Sequence, residues 1–369
     1  MKKNKGAVAI FSAYIPPHLG GIERYTDNLS KKFVKLGVIP VIVTCNVDNM
    51  DEYEESDGRV IIRLPILSIF KGRYPIPRSK KLLKKLDEFD IKGIIINARF
   101  YITSQIGADY GKSHGIPVYS IEHGSNYVTL DNKFIDFFAN RYEDFLTWRL
   151  KKCVKGFYGV SNACGRWLKH FGIEASGTWY NSIDTDQYVP VKEKHNGVNF
   201  LYAGRLIKQK GIENILDSFM RLLEQYDDIS LYIAGAGSEF DSYCKKYHHK
   251  SIHFLGMLNY DELVSYYAKT DIFLYPPLWP EGLPTSILEA GLMKCAVIGT
   301  NQGGIKEIIH DGENGLIVDS NCDSLYNGMK KLIDDKNLRE KYTNELEKTV
   351  RKEFSWDETA RKIMKDMGI

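Results

Sequence analysis

The chain has 369 residues, of which 43% are hydrophobic and 26% charged, with a net charge of +3. This length predicts two domains of ordinary size, and the composition excludes a fibrous, low-complexity or disordered protein. The six cysteines form no Cys-x-x-Cys and no Cys/His cluster, which argues against a zinc site or a disulfide framework and suits a reducing cytosol. No apolar stretch approaches the ~20 residues of a membrane span. We therefore expect a soluble or peripheral protein.

The charge is distributed unevenly along the chain. Residues 1–185 hold 27 Lys and Arg against 19 Asp and Glu, a net +8, whereas residues 186–369 hold 23 against 28, a net −5. A basic N-terminal half in a nearly neutral protein predicts that this half faces something anionic.

Strands and helices alternate through the first half. A buried strand at residues 6–11 precedes a helix that begins near Gly21, and later strands are predicted at residues 38–44, 60–64, 93–97, 117–123 and 156–161. The apolar stripe of the helix is Ile22, Tyr25, Leu29, Phe33 and Leu36. This alternation predicts a parallel, doubly wound sheet, in which ligands collect at the carboxyl ends of the strands.

Two glycines, Gly20 and Gly21, lie where the first strand passes to the first helix. Paired glycines allow the backbone to approach a ligand and direct amides at an anion, although a plain tight turn uses the same residues. Three further residues, Arg99, Ser125 and Asn126, lie on loops at strand ends. They are candidates for ligand contacts.

A basic segment runs from Lys71 to Lys85, with seven Lys and Arg and no acid. Ser79 can cap a helix over residues 80–86, and the apolar face of that helix would be Leu82, Leu83, Leu86 and Phe89. A basic amphipathic helix is typical of a membrane surface, where each cation contributes about 1 kcal/mol near anionic lipid. The alternative is a solvated helix that packs on the sheet. Nucleic acid fits less well, because no aromatic stacking platform accompanies the charge.

The second half repeats the pattern after a polar linker at about residues 184–198. A strand at residues 199–204 precedes Arg205 and Lys210, and a helix follows over residues 212–223. Two cations between a strand and a helix N-terminus suit a diphosphate, although they could also only cap and solvate a loop. Two glycines, Gly235 and Gly237, end the next strand.

An acidic segment, Pro280 to Ala290, is the most informative part of the chain. Glu281 and Glu289 lie eight positions apart across a junction from loop to helix, and Gly282 and Pro284 break the chain between them. Pro284 suits the first turn of the helix, and Glu289 would lean back toward the loop that carries Glu281. Unpaired backbone amides at that junction can receive phosphates and sugar hydroxyls. The alternative is two surface glutamates near a helix start.

This acidic segment resembles the retaining glycosyltransferases of the GT-B fold, family 4 (glycosyl transferases group 1). Members of that family carry a Glu, seven residues and a second Glu, flanked by a Gly-aromatic/Leu-Pro segment and a Leu-Glu-Ala helix. Residues 204–211 (GRLIKQKG), 303–309 (GGIKEII) and 311–315 (DGENG) continue the pattern. The chain departs from it at Pro280, an extra proline, and at Lys306, where proline is more usual. The resemblance covers nearly the whole chain.

The resemblance implies an α/β protein in which two Rossmann-like domains face each other across a cleft. An acceptor-side domain would span residues 1–184 and include a C-terminal helix, 354–369, that crosses back to it. A nucleotide-sugar-binding domain would span residues 185–353.

The resemblance also implies metal-independent transfer of a hexose-type sugar, with retention, from a UDP- or GDP-linked donor; no cofactor is expected, and no Asp-x-Asp metal motif appears. Arg205 and Lys210, with the amides of Gly20 and Gly21, would neutralise the leaving diphosphate. His123, for which a structural role is commoner at such a strand end, would touch the donor sugar or the reaction centre. On comparable loops, Arg99, Ser125 and Asn126 would contact the acceptor.

The remaining donor contacts are implied in the same way. Glu281 would hold sugar hydroxyls together with the amides of the segment Gly282, Leu283 and Pro284, and Glu289 would accept bonds from the ribose hydroxyls. Gly235 and Gly237 would let the backbone approach the nucleotide, and the base edge would lie near Met257.

Two other functions stay open. A nucleotide-sugar 2-epimerase of related fold would lack the pair of glutamates, and a non-catalytic nucleotide-sugar-binding partner of another transferase would keep the pocket without turnover. For a transferase, the basic first half suits a saccharide acceptor linked to a lipid diphosphate, in assembly of a bacterial surface polysaccharide such as capsule or O-antigen. We then expect a cytoplasmic protein at the inner face of the cell membrane.

Overall fold

The computed structural model describes residues 6–18, 20–67, 74–127 and 132–369. The chain divides into two compact units. Unit 1 comprises Met1–Asn181 with Trp356–Ile369, and unit 2 comprises Ser182–Ser355.

Unit 1 is built on a sheet whose described strands run in the order β10-β9-β8-β7-β1-β2-β4-β3. The strands of unit 1 are β1 (Ala7–Phe11), β2 (Ile39–Cys45), β3 (Tyr53–Ser56), β4 (Arg59–Leu64), β5 (Ile66–Leu67), β6 (Ile76–Pro77), β7 (Ile91–Asn97), β8 (Val118–Glu122), β9 (Gly156–Gly159) and β10 (Gly177–Thr178). All neighbours in this sheet are parallel except β3 and β4, and β5 pairs with β6 separately. The parallel, doubly wound sheet expected from the alternation is confirmed.

The antiparallel strand β3 is absent from the sequence prediction. It is joined to β4 by Asp57 and Gly58, whose φ angles of 52° and 75° are both positive. Two residues in that conformation form the tight turn that suits a hairpin, and Asp-Gly is a favoured sequence for it.

Unit 2 contains a second sheet, with the order β13-β12-β11-β14-β15-β16 among its described strands. They are β11 (Val198–Ala203), β12 (Ile229–Ala234), β13 (Ile252–Gly256), β14 (Ile272–Tyr275), β15 (Ala296–Thr300) and β16 (Leu316–Val318). All neighbours are parallel. This is the Rossmann order, in which the chain first winds outward from β11 and then restarts on its other side at β14.

The helices lie between these strands. They are α1 (Gly21–Lys35), α2 (Ile102–His114), α3 (Lys133–Leu150), α4 (Asn162–Trp167), α5 (Ile212–Leu222), α6 (Phe240–Lys246), α7 (Tyr260–Ala268), α8 (Thr285–Leu292), α9 (Ile305–Ile308), α10 (Cys322–Asp334), α11 (Lys336–Glu353) and α12 (Trp356–Met367). Within the described chain, none of them is both long and apolar enough to cross a membrane.

The core of unit 1 lies on both faces of its sheet. Successive residues of β1 alternate between the two apolar clusters, as the period of a strand requires. The C-terminal helix α12 joins the cluster that contains Tyr25 and Phe33 of α1. Its Asp357 also accepts a hydrogen bond from Lys32 at 2.9 Å. The expectation that the last helix returns to the first domain is confirmed.

The basic segment forms a different type of helix from the one predicted. Residues 71–73 lie outside the described residues, and Lys81–Glu88 forms a 3-10 helix rather than an α-helix over 80–86. The Ser79 hydroxyl accepts from the Lys81 amide at 3.3 Å. Leu83 and Leu86 are buried in the core of unit 1. Because the apolar side is already packed, the alternative interpretation of a solvated helix on the sheet applies, and only the lysines remain to face an anionic surface.

Candidate active site

The strand order of unit 2 points to one edge of its sheet. The order reverses between β11 and β14, and the loops that leave the carboxyl ends of two such strands diverge and open a crevice. Arg205 and Lys210 follow β11, and Glu281 follows β14. The cations and the first acid of the predicted site therefore lie on the two loops of this switch point.

The loop that carries Lys210 is held against the end of β14. Gly211 has a φ of +71°, and a Cβ at that position would overlap the carbonyl oxygen of Pro276. The Gln209 carbonyl accepts from the Leu278 amide at 2.9 Å. This close backbone approach requires glycine, and it brings the lysine side chain to the Glu281 loop.

Lys210 and Glu281 form an ion pair. The ammonium Nζ of Lys210 donates to the Glu281 carboxylate Oε1 at 2.5 Å and to the Tyr275 hydroxyl at 3.2 Å. The two charged side chains are only 11% and 23% exposed, so solvent screens the pair weakly. Burial and the nearby Glu281 charge raise the pKa of Tyr275, which stays protonated. The lysine can therefore release the acid and turn to an incoming anion while one neutral partner remains.

Glu281 is fixed through its backbone. Its carbonyl oxygen accepts from the Gly304 amide at 3.1 Å. Gly303 has a φ of +58°, and a Cβ there would overlap the same carbonyl oxygen. The Gly-Gly turn at 303–304, which follows β15, thus holds the backbone of the Glu281 loop in place, and we call this contact the clamp. The motif carried no predicted role for this turn.

Arg205 is exposed beside this pair. Its backbone carbonyl accepts from the buried Tyr202 hydroxyl at 3.0 Å. Its guanidinium has no hydrogen-bond or ion-pair partner in the part of the chain that the structure describes. An arginine whose backbone is held in place and whose guanidinium is not engaged can bind phosphate oxygens through two N–H groups.

Gly235 and Gly237 have a packing reason of their own. A Cβ at Gly235 would overlap the Gly204 carbonyl oxygen, and one at Gly237 would overlap the Leu206 carbonyl oxygen. The Leu206 amide donates to the Ala236 carbonyl at 2.9 Å. These glycines let the loop after β12 dock on the loop that carries Arg205, which is sufficient to explain them without a ligand.

Glu289 lies on α8, and its carboxylate Oε2 accepts from the buried Tyr267 hydroxyl at 3.1 Å. Helix α8 begins at Thr285, with Pro284 at the N-cap in extended geometry. The sequence predicted Pro284 in the first turn of the helix, whereas the structure places it one residue earlier, at the N-cap. Leu283 is buried at 5%, and Gly282 is partly exposed. Met257, just after β13, is 73% exposed.

The strand order of unit 1 reverses between β1 and β7, and Gly20 and Gly21 follow β1. Gly20 is the N-cap of α1. A side chain there would overlap the carboxylate of Glu23, whereas a Cβ at Gly21 would meet nothing within 4 Å. The buried Glu23 carboxylate thus lies against Gly20, and the open space over Gly21 leaves room for a ligand at the helix N-terminus.

His123 lies just beyond β8 and is held by Asn97, the last residue of β7. The imidazole Nε2 lies 3.0 Å from Asn97 Oδ1, and the Asn97 amide Nδ2 donates to the Thr26 hydroxyl at 2.8 Å. The Thr26 hydroxyl itself donates to the Ile22 carbonyl at 2.9 Å. This series of hydrogen bonds orients the amide oxygen of Asn97 toward the histidine. Nε2 of His123 therefore carries the proton, and Nδ1 is an acceptor.

Burial lowers the pKa of His123 to about 3, from an ordinary value of 6.5. The ring is therefore neutral at physiological pH and can accept a hydrogen bond from a sugar hydroxyl through Nδ1. Asn97 was not among the site residues predicted from the sequence, although its position at the end of a predicted strand was the available signal.

The prediction that Arg99 contacts an acceptor is wrong. Its side chain is 1% exposed, and its guanidinium makes ion pairs with Glu122 and Glu143, both at 2.6 Å. It also stacks over the Phe171 ring at 3.8 Å. Burial raises the pKa of Glu143 to about 6 despite the arginine. Arg99 is a buried structural cation, because two acids from different elements enclose it.

The two other acceptor candidates remain near the surface. The Asn126 side chain is exposed, and its Oδ1 accepts from the Tyr127 amide at 2.8 Å. Ser125 is partly buried, and its hydroxyl has no hydrogen-bond partner among the described residues. Both lie on the loop that follows His123, two and three positions after it, and they stay predictions for acceptor contacts.

Two family models match consecutive parts of the chain. Glycosyltransferase Family 4 matches residues 19–187, and Glycosyl transferases group 1 matches residues 185–349. The chain belongs to the glycosyltransferases that these two models describe, family 4 (glycosyl transferases group 1). The transferase is 24% identical to the uncharacterized glycosyltransferase MJ1069 of Methanocaldococcus jannaschii, over 99% of the chain and 98% of the relative.

Solved structures share the fold of the transferase. Sucrose-phosphate synthase of Thermosynechococcus elongatus superposes with a TM-score of 0.79 at 17% identity, over 98% of each chain. HepE of Anabaena, solved in complex with UDP-glucose, gives 0.74 at 14% identity, over 98% of this chain and 99% of HepE. These likenesses confirm the expected GT-B fold class with two Rossmann-like domains.

Proposed function

We propose that the transferase moves a hexose-type sugar from a nucleotide diphosphate donor to a saccharide acceptor, with retention and without a metal ion. The observation that carries the proposal is the ion pair of Lys210 and Glu281 at 2.5 Å, on the loops of the unit 2 switch point. A cation and an acid held together there match two adjoining parts of a nucleotide sugar, because the cation would bind the diphosphate and the acid would bind the hydroxyls of the sugar.

Donor binding would separate the charges of this pair. Lys210 would turn from Glu281 to the diphosphate, joined by the exposed guanidinium of Arg205, and the carboxylate would be freed for sugar hydroxyls. Glu289, steadied by Tyr267, would accept from the ribose hydroxyls. A UDP- or GDP-linked donor fits these contacts, and the UDP-glucose bound by HepE supports the first.

The reaction would proceed on one face of the sugar. The bond between the anomeric carbon and the leaving phosphate oxygen breaks, and its electron pair goes to the phosphate. The acceptor hydroxyl oxygen bonds to the anomeric carbon from the same side, and its proton passes to the departing phosphate oxygen. Lys210 and Arg205 would stabilise the charge that grows on the diphosphate. His123, neutral and accepting through Nδ1, would orient a donor hydroxyl.

The chemical class of the acceptor is proposed from the net charge of the N-terminal half of the chain. The net +8 of residues 1–185 suits an anionic acceptor, such as a saccharide on a lipid diphosphate, in assembly of a bacterial surface polysaccharide at the inner face of the cell membrane. The lysines of Lys81–Glu88 face solvent and would add electrostatic attraction to such a surface.

The test is release of free nucleotide from single UDP- and GDP-sugars, with saccharide acceptors and with EDTA present. Acceptor-dependent release, and a product with the donor's anomeric configuration by NMR, are expected. Release that requires a divalent ion, or an inverted product, would remove the corresponding part of the proposal. A 2-epimer product would instead favour the epimerase, and tight nucleotide binding without turnover would favour a non-catalytic partner.

A further inference from the structure

Helix α3 has an exposed apolar face. Its buried side consists of Glu143, Leu146, Thr147 and Leu150. Its outward side carries seven large apolar side chains: Phe134 (73% exposed), Ile135 (48%), Phe137 (58%), Phe138 (56%), Tyr142 (41%), Phe145 (53%) and Trp148 (55%). We call these seven residues the aromatic face.

The spacing makes this one continuous surface. Phe134, Phe138, Phe145 and Trp148 recur at intervals of four, seven and three residues, which places them along one side of a helix. A helix that is amphipathic for packing inside a protein directs such residues inward. Here they point away from the core of unit 1, and large contiguous apolar patches on a surface mark an interaction site.

Cations accompany the aromatic rings. The Arg141 guanidinium lies 5.9 Å from the centre of the Phe137 ring, and the Lys152 ammonium lies 3.5 Å from the centre of the Trp148 ring. Asp144 forms an ion pair with Arg141 at 3.2 Å and partly neutralises it. It also accepts a hydrogen bond from Tyr127.

A pocket continues this surface at the C-terminal end of α3. It has a volume of about 240 Å³, and its polar lining includes Gln105, Asp109, Lys112, Trp148, Arg149 and Lys152. Arg149 pairs with Asp109 at 3.3 Å, so one of the three cations is partly neutralised. Two further cations remain in a space large enough for a phosphate group.

We propose that the aromatic face of α3 lies on the surface of a bilayer that contains anionic phospholipid. The rings would enter the boundary between headgroups and acyl chains, and Lys112, Arg149 and Lys152 would contact headgroup phosphates at the pocket. Aromatic residues on one side of a helix with cations beside them are the composition of helices that lie in a membrane interface. The net +8 of residues 1–185 is complementary to an anionic surface.

A second copy of the chain fits this face less well. A symmetric contact would bury Lys152 of both chains beside the rings of the aromatic face, and the loss of hydration of these cations opposes association. Lysine is also depleted in the cores of protein interfaces. The membrane contact is separate from the proposed reaction, since a protein without transferase activity would still bind the lipid.

The test uses the full chain and sedimentation with vesicles of phosphatidylcholine alone or mixed with phosphatidylglycerol, at low and high salt. Binding is expected to the mixed vesicles and to weaken with salt. Phe138→Ser with Phe145→Ser removes two exposed rings and is expected to weaken binding roughly 100-fold. Its matched control, Val189→Ser with Val191→Ser, removes exposed apolar side chains of unit 2 (67% and 65% exposed) and is expected to bind like the parent.

A charge variant separates the two contributions. Lys152→Glu is expected to weaken binding to the mixed vesicles by about tenfold or more. Lys365→Glu, at an exposed lysine of α12, is its control and is expected to have a smaller effect. On mixed vesicles, Trp148 emission should shift to shorter wavelength, and Trp148→Phe should remove that shift while binding persists.

Three outcomes would overturn the proposal. They are no binding to mixed vesicles at low salt, equal binding by the double serine variant and the parent, and a parent dimer that becomes monomeric in the double serine variant. The last result would assign the aromatic face to a contact between copies of the chain. Unchanged thermal unfolding of each variant shows that a loss of binding is not a loss of fold.

Discussion

Gly303 and Glu281 meet backbone to backbone, so closely that a Cβ on the glycine would overlap the carbonyl oxygen of the glutamate. The contact joins the loop after β15 to the loop after β14. It sets the position of the carboxylate that pairs with Lys210 at 2.5 Å.

We expect Gly303→Ala to displace the acid loop and to reduce nucleotide release at least tenfold. Gly312→Ala is the matched control: both glycines have positive φ, +58° and +76°, but a Cβ at Gly312 meets nothing within 4 Å. In each variant, an alanine in left-handed backbone geometry lowers the free energy of unfolding by about 1 kcal/mol. Only Gly303→Ala adds the overlap. Equal activity of the two variants would contradict the role given to the clamp.

Removing the Lys210 ammonium is expected to slow transfer by about 10²–10³-fold, since it would stabilise charge on the leaving group. Lys208→Ala removes an exposed lysine from the same short 3-10 turn and should leave the rate within about twofold. Steady-state rates and nucleotide affinity by calorimetry measure both variants. The assignment fails if Lys210→Ala binds and turns over donor as Lys208→Ala does.

Glu281→Gln tests the other partner of the pair. An amide of the same shape keeps some contact with sugar hydroxyls but lacks the charge, so we expect kcat/KM for the nucleotide sugar to fall by about 10-fold or more. Affinity for the free nucleotide diphosphate should not fall, because Lys210 loses a competing acid. Parallel losses of nucleotide and nucleotide-sugar affinity would show that Glu281 does not act on the sugar.

Asn97 is expected to act on His123 as a positioning residue. Asn97→Leu removes the acceptor of the Nε2 proton, so the imidazole should populate both tautomers and the transfer rate should fall by about tenfold. Asn97→Asp keeps an acceptor and should restore the Nε2-H form. Nitrogen chemical shifts of the imidazole by NMR report the tautomer directly. An unchanged tautomer in Asn97→Leu would exclude this role.

Stability should depend on pH through the same histidine. Because burial lowers the pKa of His123 from 6.5 to about 3, the unfolded chain takes up this proton first as the pH falls. The contribution to stability is complete above pH 6.5 and is lost progressively toward pH 3, with a slope of up to about 1.4 kcal/mol per pH unit. In denaturant unfolding between pH 7 and pH 5, the free energy of unfolding should depend less steeply on pH for His123→Asn than for the parent. His248→Asn, at an exposed site, should retain the parent slope.

Arg99→Met should destabilise unit 1 by about 3–5 kcal/mol, since it leaves Glu122 and Glu143 buried without their cation. Arg166→Met, at an exposed arginine of α4, should cost less than about 0.5 kcal/mol. Chemical denaturation measures both. A stable Arg99→Met variant with a raised KM for acceptor would restore the acceptor role that the buried geometry contradicts.

The sequence was sufficient for the alternation of strands and helices, but it did not predict β3 or how deeply side chains such as Arg99 are buried. Proline and glycine mark the end of β14 and the start of α8 to within one residue, because their backbone limits act locally. Arg99 was misjudged because a strand end does not reveal what covers it. Its partner Glu143 is 44 positions away on α3, and only the folded helix brings the acid to the arginine.

The pair of Lys210 and Glu281 likewise shows what the sequence predicts and what only the fold reveals. Each residue could be selected from its motif, yet the contact between them spans 71 positions. It depends on the adjacency of β11 and β14, which no local pattern encodes. The β3 hairpin was visible in principle, since Asp57 and Gly58 are a favoured turn sequence.

Helix α12 has a consequence for how this protein can be divided. Since unit 1 is assembled from Met1–Asn181 and Trp356–Ile369, its two pieces are separated along the chain by all of unit 2. A premature stop before Trp356 would strip a layer from the core around Tyr25 and Phe33, so the lesion would appear far from the missing residues. The N-terminal unit can therefore be completed only after residues 356–369 have been synthesised.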